Sequence, residues 1–205
     1  METVRTGPIE WAVAEHMRPG QTESGDHSLA MAIPGGALVG VVDGLGHGAE
    51  AADAAKTAVW SIERHAQEPI IPLIRDCHRS LFGSRGAVIS VAAFNAADET
   101  MTWLGVGNVE GLLVRAQTTS PGRELLLLRG GVVGVHLPAL AAAIVPIVRG
   151  DTLIFATDGV RSDFLHEVLP HRDPPHALAN RVLARFGRAA DDALVLVARY
   201  LGPPP

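Results

Sequence analysis

Several common features are missing from this chain, and each absence narrows what it does. There is one cysteine, Cys77, so no internal disulfide forms. There is one lysine, Lys56, and no block of basic residues. With a net charge of −5, the chain has no electrostatic footprint for nucleic acid. No stretch of about 18 uncharged apolar residues occurs, so no membrane-spanning helix and no membrane partner are expected. The longest apolar run, 132–148, is broken by His136, Pro138 and Pro146. Residues Met1 to Gly20 carry Glu2, Glu10 and Glu15 and lack the apolar centre of a signal peptide, so a cytoplasmic location is expected. Gly-Lys-Ser/Thr occurs nowhere, which removes a P-loop.

What is present reads as a folded globule. The 205 residues are 47% hydrophobic and 19% charged, enough for one domain over 1–205 with a substantial core. Apolar, β-like runs bounded by turn residues predict strands over Ile9–Ala14, Ser28–Ile33, Ala37–Val42, Ala87–Phe94, Met101–Val106, Gly111–Arg115, Glu124–Leu128, Thr152–Ala156 and Ala193–Leu201. Helical spacing predicts helices over Ala49–Ala66, Pro69–Phe82 and Pro175–Phe186. In the second helix Ile70, Ile74, Cys77 and Leu81 share a face, which makes Cys77 a buried core thiol. Strands follow one another without regular βαβ alternation. The expectation is therefore an α+β fold, with two antiparallel sheets face to face and helices outside.

Two short acidic turns stand out. Val42-Asp43-Gly44-Leu45-Gly46-His47-Gly48 and Ala156-Thr157-Asp158-Gly159-Val160 each place an Asp-Gly pair where an apolar strand stops. A third acidic pair, Asp191-Asp192, stands just before the last strand. Taken singly, each is equally a turn, a helix cap or a solvated loop. Taken together, crowded carboxylates repel one another, and a hard divalent cation relieves that repulsion. His47 either orients a bound water or phosphate, or faces solvent at a helix start.

Other motifs carry less. His166 and His171 stand five apart with Pro170 between them, so they cannot share a helical face as zinc ligands. Gly105-Val106-Gly107-Asn108-Val109-Glu110-Gly111 approaches a dinucleotide fingerprint, but its last glycine is out of place and no helix follows. His136 reads as a packed core or loop residue. Gly130-Gly131-Val132-Val133-Gly134 reads as a mobile loop near the site or a plain turn.

The ordered set Ser24-Gly25-Asp26, Asp43-Gly44-Leu45-Gly46-His47-Gly48, Gly105-Val106-Gly107-Asn108-Val109, Thr157-Asp158-Gly159 and Asp191-Asp192 resembles the metal-dependent PPM (PP2C-type) serine/threonine phosphatases from Gly25 to Val197. Within them the chain is most similar to the compact bacterial SpoIIE/RsbX-like branch, and the turn at Asp43 favours the RsbX type. The resemblance implies a four-layer α/β/β/α sandwich and two Mn²⁺ or Mg²⁺ ions. It implies that Asp43 bridges both ions, that the Gly44 carbonyl and Asp26 serve the first, and that Asp158 and Asp191 serve the second. Asp192, His47 and Asn108 fall beside that set. The implied chemistry is metal-activated water attacking a phosphoserine or phosphothreonine, on a phosphorylated partner of STAS type in stress signalling. An arginine that large members place four residues before the Asp26 position is Thr22 here, which leaves phosphate capture to the ions. Asn108 stands where many bacterial members have an aspartate for a third ion. The short span from Asp43 to Asp158 implies a reduced flap and an open site. A non-catalytic interaction domain and a small-molecule phosphomonoesterase are the other classes the residues admit.

Overall fold

Local periodicity builds nearly all of the elements. The computed structural model describes residues 2–117, 122–167, 169 and 172–203. In chain order it has β1 (Val4–Thr6), β2 (Ile9–His16), β3 (Asp26–Ile33), β4 (Gly36–Gly44), α1 (Ala49–Arg64), α2 (Ile70–Ser80), β5 (Ala87–Asn95), β6 (Thr100–Val106) and β7 (Glu110–Val114). It continues with β8 (Arg123–Leu125), β9 (Leu128–Arg129), β10 (Ala143–Pro146), β11 (Thr152–Ala156), a 3-10 turn (Ser162–His166), α3 (Pro175–Phe186) and β12 (Ala193–Tyr200).

One sheet runs β1-β2-β12-β11-β7-β8 and the other β10-β6-β5-β4-β3, with β9 beside β6. Every pairing is antiparallel except the short β6–β9 contact. The expected α+β sandwich of four layers is what forms. The reason is legible strand by strand. In β11, Leu153 and Phe155 enter the core between the sheets, while Ile154 and Ala156 pack under α3. In β4, Ala37, Val39 and Val41 face the other sheet, while Leu38 and Val42 face α1 and α2. A central strand covered on both faces reads as an unbroken apolar run, which is why Thr152–Ala156 and Ala37–Val42 lack polar alternation. Among the described residues no helix is long and apolar enough to cross a membrane.

Three details differ from the sequence reading. Glu124–Leu128 is not one strand: β8 pairs with β7 in one sheet, and β9 pairs with β6 in the other. Residues 126 and 127 carry the chain between sheets, with the Leu126 N–H on the Gly111 carbonyl at 2.8 Å. The run of leucines has no period there because it changes sheets. The broken apolar stretch contains an unanticipated edge strand, β10, where Pro146 is tolerated because an edge leaves N–H positions unpaired. The third is β1, a three-residue edge strand too short to show a period.

The topology gathers chain positions that are far apart in sequence. Asp26 and Asp43 are direct register partners on β3 and β4. Asp158 follows the end of β11, and Asp191 precedes the start of β12, where Ala156 pairs with Val195. The central pairing depends on Phe155, which is fully buried between the sheets. Phe155→Ala is expected to cost about 3–5 kcal/mol, read from chemical denaturation, because the rigid sheets cannot collapse onto the void.

Candidate active site

Two glycines let the acidic strand ends come together, and both do so by being small. A Cβ on Gly44 would lie 2.0 Å from the Ala51 carbonyl, so only glycine lets α1 close on the Asp43 turn. A Cβ on Gly159 would lie 1.9 Å from the Asp192 carbonyl, so only glycine lets the Asp158 turn meet the Asp191-Asp192 segment. The same segment is tied by the Arg188 N–H to the Gly159 carbonyl at 2.8 Å and the Asp191 N–H to the Arg188 carbonyl at 3.1 Å.

The result is a cavity of about 440 Å³ lined by Asp26, Asp43, Asp158, Asp191, Asp192 and Asn108, together with Leu45, Gly46, Val88, Gly107, Gly130 and Gly131. The structure thus brings together six of the sequence-predicted site residues. Gly44 and His47 are not on the lining. Gly44 sits one residue behind Asp43, its N–H on the Gly25 carbonyl at 3.0 Å, and His47 is exposed just ahead of α1. Gly130 and Gly131 do reach the site, and the chain beyond them is pinned by hydrogen bonds of 2.9 and 2.8 Å between Ala87 and Val133. His136 is exposed, and its carbonyl accepts the Val132 N–H. His171 lies outside the described residues.

Each acid is held differently. Asp26 is 5% exposed, and its Oδ2 accepts the Thr157 hydroxyl at 2.7 Å. Thr157 in turn accepts the Leu194 N–H at 2.9 Å, so β12 fixes the hydroxyl that fixes Asp26. Sequence reasoning missed Thr157; the only signal was a hydroxyl ending an otherwise apolar strand. Asp158 is exposed, with Oδ2 accepting the Asn108 amide at 3.0 Å, so a neutral donor stands where another carboxylate would repel. Asp192 is 6% exposed and is a tie: Oδ1 accepts the Arg18 N–H at 2.8 Å and Oδ2 the Gly25 N–H at 2.9 Å. Thr22, by contrast, is exposed.

Burial, and the negative charges of Asp26, Asp158, Asp191 and Asp192, push Asp43 up to about 8. Burial pushes Asp26 up to about 7; the Thr157 hydrogen bond opposes that rise, and Asp192, Asp158 and Asp191 add to it. Among the described residues no lysine or arginine lines the cavity to offset this charge. A set made only of hard oxygen donors, crowded enough to resist ionising, fits a hard divalent cation such as Mg²⁺ or Mn²⁺.

Comparison with known proteins shows the family and the fold. Residues 33–201 match the family of Stage II sporulation protein E, SpoIIE. Over 105 residues the chain is 28% identical to the phosphoserine phosphatase RsbX of Bacillus subtilis (strain 168). That stretch takes in 51% of this chain and 53% of the relative, so the match spans about half the relative's length. A solved structure from the bacterial stressosome, described as a modular system adapted to control secondary messenger signaling, superposes with a TM-score of 0.83. It is 28% identical and covers 93% of this chain and 99% of its own. The crystal structure of RsbX in complex with magnesium superposes with a TM-score of 0.84, at 20% identity over 97% of this chain and 98% of that one. The fold is PP2C-like.

The raised acids have a consequence for stability. In the metal-free fold Asp26 and Asp43 keep their protons to about 7 and about 8, whereas in the unfolded chain they ionise near 4. Between those values the fold binds more protons than the unfolded chain, so its stability falls as pH rises. The melting temperature in chelator is expected to drop from about pH 5 to pH 8, and Mn²⁺ or Mg²⁺ to restore it most at pH 8. Asp43→Asn should flatten the drop and weaken the response to the ion. A flat profile for the wild type would refute the assignment. Asp192→Ala should instead lose about 2–4 kcal/mol in denaturant titrations, because two backbone N–H groups lose their acceptor.

Proposed function

The chain belongs to the SpoIIE family, with the PP2C-like fold, and from that premise we propose that it is a metal-dependent protein phosphatase acting on phosphoserine or phosphothreonine. The observation that carries this reading is the convergence of five aspartates on one cavity with, among the described residues, no basic side chain on its wall. Two ions, Mn²⁺ or Mg²⁺, are the cofactors such a set suits. In this reading Asp43 serves both ions, Asp26 and the Gly44 carbonyl the first, and Asp158 and Asp191 the second. Bound there, the ions would supply the charge that acidifies a water and neutralises phosphoryl oxygens.

The chain's own residues set the stage for that chemistry. Thr157 holds one oxygen of Asp26 and leaves the other to the cavity. Asn108 does the same for Asp158, and Arg188 steadies the backbone behind it by donating to the Asp158 carbonyl at 2.9 Å. Asp192 ties both ends of the loop between β2 and β3, which leads into Asp26, and so acts on position, not on substrate. In this reading the reaction needs no covalent nucleophile from the chain. Cys77 is fully buried between α1 and α2, and burial pushes its thiol up to about 12, far from a reactive thiolate.

The substrate proposed is a phosphorylated regulatory protein, of STAS type in a stress-signalling module. The support is the RsbX relative and the stressosome chain of near-equal extent. The exposure of Asp158 and Asn108 at the rim supports a folded protein as the carrier of the phosphoryl group, since it leaves the site open on that side.

The test is hydrolysis of p-nitrophenyl phosphate and of phosphoserine peptides, with and without Mn²⁺. Wild type is expected to require the ion, and Asp43→Asn and Asp158→Asn to lose at least about a hundredfold in kcat/KM, as removal of a charge-stabilising group does. Full activity in chelator, or in both variants, would sink the two-ion assignment. Failure on every phosphoester would leave a non-catalytic interaction domain.

A further inference from the structure

A phosphomonoester is largely a dianion at neutral pH, and the cavity that would receive it is walled by aspartates. Ions inside the cavity account for its final hold but not for its approach across a negative mouth. Two arginines stand just behind the lining: neither is on the wall, and each touches a residue that is, while Arg85 and Glu50 line a neighbouring hollow. Arg188 is committed to the Asp158 carbonyl through Nη1. Arg85, on the loop between α2 and β5, is arranged otherwise.

Its guanidinium is gripped on one edge. Nε and Nη2 each lie 2.5 Å from Oε2 of Glu50, in the first turn of α1. The remaining nitrogen, Nη1, has no acceptor among the described residues. It rests against Gly46, where an added Cβ would stand 2.7 Å from it, and Gly46 lines the cavity. The backbone beneath is fixed as well. The Leu45 N–H donates to the Gly86 carbonyl at 3.0 Å, and the Ser84 hydroxyl donates to the Leu81 carbonyl at 2.7 Å while accepting the Gly86 N–H at 3.0 Å. Glu50 thus holds one edge of the fork and leaves the other beside the cavity wall. An arginine fork is suited to phosphoryl oxygens because its donors are planar and always charged.

We propose that Arg85 captures the substrate, its Nη1 binding a phosphoryl oxygen of the incoming phosphoserine or phosphothreonine beside Gly46, with Glu50 as the positioning residue. The proposal rests on the phosphatase reading. It concerns binding, so it separates KM from kcat. Because Arg85 and Glu50 are about half and two-thirds exposed, the attraction is screened by salt.

The experiment is steady-state kinetics of the full chain in Mn²⁺ on p-nitrophenyl phosphate and a phosphoserine peptide, with inhibition by inorganic phosphate. For Arg85→Ala, KM for both substrates and Ki for phosphate are expected to rise about tenfold, with kcat nearly unchanged and the Mn²⁺-induced melting shift intact. Arg85→Lys should recover part of the loss, and the gap between wild type and Arg85→Ala should narrow in high salt. Wild-type KM and Ki in Arg85→Ala would overturn the proposal. So would a fall in kcat and in the Mn²⁺ response at constant KM, which would mark Arg85 as a prop for the Asp43 turn. A wild type without ion-dependent hydrolysis would overturn the phosphatase reading itself, and the capture role with it.

Discussion

Mutual repulsion among carboxylates is the constraint around which this structure is arranged. Asp26, Asp43, Asp158, Asp191 and Asp192 share one cavity, and two of them are pushed well above the usual carboxylate range. Left to itself such a cluster would spread. It stays because each acid is attached to a strand end inside two packed sheets, and those sheets are held by an apolar core that includes Val39, Phe94, Phe155 and Leu196. The core supplies the stability that the site consumes, the usual relation between a scaffold and a strained functional centre.

Rigidity at the site comes from small backbone devices. Gly44 and Gly159 admit neighbouring carbonyls to within distances no side chain tolerates, so helix α1 and the Asp191 segment press directly on the acidic turns. Thr157 links β11, β12 and Asp26 through two hydrogen bonds. Asp192 spends both oxygens on the backbone of residues 18 and 25. The other acids of the lining, Asp26, Asp43, Asp158 and Asp191, each keep at least one oxygen outside such ties among the described residues. Tying one acid to the backbone holds the negative cavity in shape, although among the described residues no lysine or arginine is on its lining to neutralise it.

Much of this was legible in the residues. The helices followed from periodicity, most strands from apolar runs between turn residues, and the acidic turns from Asp-Gly pairs at the ends of those runs. Cys77 was placed in the core by its helical face, where it lies. The misreadings have one origin. Leu126 and Leu127 belong to a run of leucines whose period vanishes because the chain crosses from one sheet to the other there. Strand β10 hides in a proline-broken stretch because an edge strand needs only one set of hydrogen bonds. In both cases pairing partners far along the chain decide the outcome, and local pattern does not record them.

The sequence by itself determined the kinds of elements, the places where strands stop and the chemistry gathered there, because side-chain period and glycine position act locally. Only the tertiary structure decided what Asp192 does beside Asp191: both of its oxygens are taken by backbone N–H groups, at residues 18 and 25 of the loop between β2 and β3. It alone set Arg85 beside Gly46 with one edge of its fork taken by Glu50. The physical reason is the same throughout. A carboxylate or a guanidinium acquires its role from the donors, acceptors and charges that surround it, and those arrive from strands and loops that meet only when the two sheets pack.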